Sequence, residues 1–103
     1  MSEKEQILNI AMNLNRVGNW TADGYPARKK RIATFLEQTS GYLKSIETSS
    51  LPKPLKNSLT RFLKEYSRLE KEGLDGPRDE LDWAEKMMTW GNILTHRASL
   101  IKT

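Results

Sequence analysis

Four consecutive cations, Arg28-Lys29-Lys30-Arg31, form the densest run of charge in the chain, and His96 is its single imidazole. Each suggests a different chemistry. Guanidinium and ammonium groups neutralise phosphates or carboxylates, whereas a histidine suited to proton transfer needs an acidic neighbour to hold its tautomer. On a helix His96 has Asn92 four residues before it and no acid at i±3 or i±4. The acids Asp79, Glu80, Asp82 and Glu85 cluster where a helix would start, which is where carboxylates complement the helix dipole. The absence of Cys removes thiol nucleophiles, Cys-type zinc sites and iron–sulfur ligation. There is no H-E-x-x-H, no EF-hand loop, no phosphate-binding glycine loop and no G-x-S-x-G elbow. The expectation is a protein that is not an enzyme and that carries neither cofactor nor metal.

Two binding chemistries remain. Trp83, Met87 and Trp90 stand at i, i+4 and i+7, so they line one edge of a helix, and Ile93 and Leu100 lie on another side of it. Tryptophan and methionine are enriched where helices dock on partners. These five residues are therefore the candidate partner-binding set, for a protein partner or a homo-oligomer. The alternative is nucleic acid. Residues 28–64 carry nine cations against Glu37 and Glu47, a local net of +7 in a chain of net +4. Arg28, Lys29, Lys30, Arg31, Arg61, Lys64 and Arg68 are the candidate anion-binding set. No helix-turn-helix, zinc-finger or RNA-binding signature accompanies them, so such binding would follow the backbone and tolerate any sequence.

The elements that must carry these residues read as helices. The 103 residues suit one domain with one core. Ser2 with Glu5 forms a capping box for a helix over 3–17, whose apolar face is Ile7, Ile10, Ala11, Leu14 and Val17. Gly18 and Asn19 read as its stop, and residues 19–26 as a loop in which Trp20 and Tyr25 close the end of the bundle. A second helix over 26–46 starts on Pro26 and buries Ile32, Phe35, Leu36, Thr39, Leu43 and Ile46, with a break near Gly41 left open. A third over 55–72 buries Leu55, Leu59, Phe62, Leu63, Tyr66 and Leu69 and closes on Gly73. A fourth over 78–101 has the broadest apolar arc, running from Leu81, Ala84, Met88 and Gly91 round to Trp83, Trp90 and Ile101.

Four such helices with short connections predict an all-α, antiparallel, up-down-up-down four-helix bundle. The opening MSEKEQ has no apolar h-region, and no apolar run approaches membrane-spanning length, so a cytoplasmic setting with no membrane span is expected.

Overall fold

The computed structural model describes residues 2–101, and among these the ordered elements are helical. There are three helices, α1 Glu3–Ser45, α2 Lys53–Asp75 and α3 Glu80–Ala98, with a single 3-10 turn at Thr48–Ser50 before α2. The expected count of four is corrected to three, and a four-helix bundle is not confirmed. The difference lies in α1, which runs through both segments assigned to the first two helices and through most of the loop between them.

The start of α1 is as expected: the Ser2 hydroxyl accepts the Glu5 N–H at 3.2 Å and donates to the Glu5 carboxylate at 3.1 Å. Gly18 does not stop the helix. It is buried, and a Cβ built there would lie 2.5 Å from Met88 Cγ and 2.9 Å from the Ala84 carbonyl oxygen. This glycine lets two helices approach. The one non-helical residue within α1 is Gly24, at φ 155° and ψ 88°, a conformation that L side chains rarely adopt.

The reversal follows from length. A straight helix of 43 residues would span roughly 65 Å, but the longest extent of the molecule is 39 Å. Contacts across α1 confirm it: Gln6 Nε2 donates to Ser45 Oγ at 2.9 Å, Asn13 Nδ2 to Thr39 Oγ1 at 3.4 Å, and Trp20 meets Phe35 edge-on at 5.0 Å. Residues 3–23 are the first arm and residues 25–45 the second, running antiparallel. Pro26 falls in the opening turn of the second arm, where its missing N–H leaves no helical bond unmade.

Two other boundaries move for similar reasons. No break occurs at Gly41. Helix α2 passes Gly73 and ends on Gly76, whose φ of 105° suits glycine and whose N–H bonds the Glu72 carbonyl at 2.9 Å. Asp79 caps α3 by accepting the Asp82 N–H at 3.0 Å, so the helix begins two residues later than expected, and it ends three residues earlier.

Each element packs on two neighbours. The first arm meets the second arm and α3, and α2 meets the second arm and α3. The seam between the first arm and α3 is close because small residues line it: Gly18 faces Ala84 and Met88, and Gly91 faces Asn15. On α3 the small residues Ala84, Gly91 and Ala98 recur every seven residues, all buried. The α2 seams are aromatic. Phe62 meets Trp90 at 5.3 Å, the Tyr66 hydroxyl donates to the Leu36 carbonyl at 2.9 Å, and the Tyr25 hydroxyl donates to the Gly73 carbonyl at 2.6 Å. Both phenols titrate above their ordinary range. Burial is the main cause for each, reinforced by Asp75 and Glu80 near Tyr25 and by Glu70 near Tyr66. Tyr25 joins the start of the second arm to the last turn of α2, and Tyr66 joins the two nearer their middle.

One buried group lacks a partner. Thr21 is 1% exposed, and its hydroxyl makes no hydrogen bond among the described residues. An unsatisfied buried hydroxyl costs about 1–3 kcal/mol. Thr21→Val keeps the shape and removes the polar atom, so its urea midpoint is expected to rise, by a stabilisation of about 1 kcal/mol. A lowered midpoint would mean that the hydroxyl has a partner in solution.

Candidate functional site

The structure divides the candidate residues sharply. Trp83 and Met87 have essentially no exposed surface, and Trp90 is 8% exposed. The Trp83 indole N–H donates to the Leu69 carbonyl at 2.9 Å, and that of Trp90 to the Glu65 carboxylate at 3.0 Å. These three side chains form the α2–α3 seam. As a surface for another molecule the tryptophan edge is corrected: α2 already covers it. Ile93 is half-buried and packs against the core, and Leu100, just past α3, is exposed. Leu81, placed on the core arc by its phase, is 67% exposed in the first turn of α3.

The cations are brought together more closely. Because the second arm and α2 run antiparallel, Arg28–Arg31 share an end of the molecule with Arg68 and Lys71. The Tyr25–Gly73 hydrogen bond ties these two stretches together. An open depression at this end is lined by Pro26, Ala27, Arg28, Lys29, Lys30 and Arg31, and a second by residues at the end of α2, including Arg68 and Lys71. The four cations of the run are not equivalent. Arg28 pairs with Asp23 at 2.9 Å, and the Arg31 guanidinium lies 5.3 Å from the Trp20 ring centroid. Both arginines therefore brace the reversal at Gly24. Lys29 and Lys30 are exposed.

Helical phase then extends the surface along the molecule. Lys30, Glu37 and Lys44 recur every seven residues on the outward side of the second arm, and Lys56, Lys64 and Lys71 lie on the outward side of α2. All of these are exposed. Arg61 and Arg68 lean toward α3, where Glu65 and Glu72 dilute their charge. Only two ion pairs form among the described residues, Arg28–Asp23 and Lys86–Asp82. The six lysines 29, 30, 44, 56, 64 and 71 thus face water without a carboxylate partner. One nearby acid, Glu70, accepts the Ser40 hydroxyl across the seam. The sequence places Lys56 and Lys71 near this surface once the two helices are paired antiparallel, but it does not count Lys44 as a member of it. Its sevenfold spacing from Lys30 through Glu37 was the available signal.

Among the described residues no group of three or more His, Asp or Glu side chains is placed to hold a metal ion, and His96 stands exposed on α3. No helix among them is long and apolar enough to cross a membrane. The arrangement offers a field of unpaired ammonium groups over two helices, which can neutralise a row of anions. No family model, no curated protein and no solved structure matches this chain.

Proposed function

We propose that this chain is a binding protein without catalytic activity that holds nucleic acid by its phosphate backbone, through the lysine face of the second arm and α2. The observation that carries the reading is the set of six exposed lysines on one side of two adjacent helices, none of them ion-paired. The face runs roughly 22 Å from Lys29 to Lys44, long enough to meet several phosphates of one strand. It holds no aromatic platform and no amide fork, so contacts stay with the backbone and sequence is not read. A cytoplasmic setting accompanies this reading.

A random duplex titrated across a salt series tests it. Log affinity is expected to fall linearly with log salt, with a slope of about −3 to −4 if some four phosphates are neutralised. Changing Lys29, Lys30, Lys64 and Lys71 together to Gln is expected to weaken binding at low salt by roughly a hundredfold and to flatten the slope toward zero. Absent binding at low salt, or equal binding by the variant, overturns the reading.

A second reading, docking of a protein partner on α3, retains Ile93 and Leu100. It is favoured by the 41% exposure of Leu100.

A further inference from the structure

We propose that the six lysines form two rows that take the two strands of a duplex, one row to each strand, with a groove of the nucleic acid lying over the seam between the second arm and α2. This names the substrate class of the nucleic-acid reading above and rests on it.

The pairing of the helices sets the rows. The Tyr25–Gly73 and Tyr66–Leu36 hydrogen bonds fix the second arm and α2 as antiparallel neighbours. Lys29, Lys30 and Lys44 make the row on the second arm, with Glu37 between the last two, and Lys56, Lys64 and Lys71 make the row on α2. Lys30 and Lys71 lie at the Tyr25 end, and Lys44 and Lys56 beyond the Leu36–Tyr66 contact at the other. Each row, Lys29 to Lys44 and Lys56 to Lys71, is about 22 Å long. Packed helices lie about 8–10 Å apart, and flexible lysine stems reach further to either side. The grooves of a B-form duplex are about 6 and 12 Å wide, so two rows on neighbouring helices match the spacing of two phosphate rows across a groove.

The strip between the rows favours a duplex over other polyanions. Its outer side carries Ala33, Ser40, Leu63 and Ser67, none of them charged or aromatic. Glu70, which also faces the seam, is held by the Ser40 hydroxyl. Short side chains here leave room for the strands to settle on the lysines at both edges. A single strand is held by rings on which its bases stack, and the strip has none. A lipid surface takes a continuous apolar stripe. Here Leu63, 41% exposed, and Leu74, 36% exposed, stand about 16 Å apart along α2 with Ser67 between them.

A cycle over protein and nucleic acid tests the assignment. The wild-type chain and the variant Lys56→Gln, Lys64→Gln, Lys71→Gln, which lacks the α2 row, are each titrated across a salt series. The probes are a random duplex and the same duplex with an uncharged methylphosphonate backbone in one strand. For the wild type the salt slope is expected to fall from about −3 to −4 on the first to about −2 on the second. The variant, of unchanged helicity by circular dichroism, is expected to give about −2 on both, because the row it lacks is the one that meets the second strand. A wild-type slope that is the same on both duplexes places both rows on one strand, and a further fall for the variant on the half-neutral duplex makes the two losses independent. Either result overturns the two-strand assignment and leaves the nucleic-acid reading standing. A wild type that binds neither duplex at low salt sinks both, as does capture by phosphatidylserine vesicles without capture by duplex.

Discussion

Trp83→Ala is expected to lower unfolding free energy by about 3–5 kcal/mol, the range for removing a large aromatic from a packed core. The indole is 1% exposed, its N–H is bonded to the Leu69 carbonyl, and its ring edge lies against Gly73. The neighbours are two long helices that cannot collapse into the space without giving up their other contacts. A domain of this size has a total stability of about 5–15 kcal/mol, so the loss removes a large share of it. Urea unfolding followed by circular dichroism measures the change. Were Trp83 a docking residue held at the surface, the variant would instead unfold within about 0.5 kcal/mol of wild type. That outcome would reopen the tryptophan edge as a binding surface.

Gly73→Ala is expected to destabilise by about 1–3 kcal/mol, although alanine is the better helix former. A Cβ at position 73 would sit 2.5 Å from Trp83 Cζ2 and 2.8 Å from Leu36 Cδ1. Neither atom is the loose end of a surface chain, since both residues are buried to within 1%. The ring cannot swing away without breaking its bond to Leu69. Gly41→Ala is the matched control: it sits in a helix with open space around it and is expected to gain about 0.5–1 kcal/mol. Measured together, the pair separates helix propensity from packing. A stabilising Gly73→Ala would mean that α2 and α3 are less closely seated than described.

The same glycines explain what could be read in advance. The 3.6-residue periodicity of Ile7, Ile10 and Leu14, or of Leu55, Leu59 and Phe62, is a local signal, and those helices form where expected. Gly18 and Gly73 were read as stops because a glycine that ends a helix and one that admits a neighbour look alike in sequence. What distinguishes them is Met88, 70 residues away, and Trp83, on another helix. Pattern also shows that the Trp83–Trp90 edge is apolar, but not which element covers it; the long α2 does. The cations were legible as residues. Their division into Arg28 and Arg31, which brace a turn, and lysines, which face water, depends on Asp23 and Trp20 reaching back across the reversal.

That reversal rests on Gly24 alone. Both arms are regular helix up to it, and Pro26 is already in helical register beyond it. A change at this one residue therefore separates the folded-back α1 from an opened chain, kinked where Pro26 lacks an N–H, that has lost the Gln6–Ser45, Asn13–Thr39 and Trp20–Phe35 contacts. A second chain opened in the same way offers the same contacts in return. The protein thus carries a route to domain exchange, with one glycine as its hinge loop and the first arm as the exchanged element.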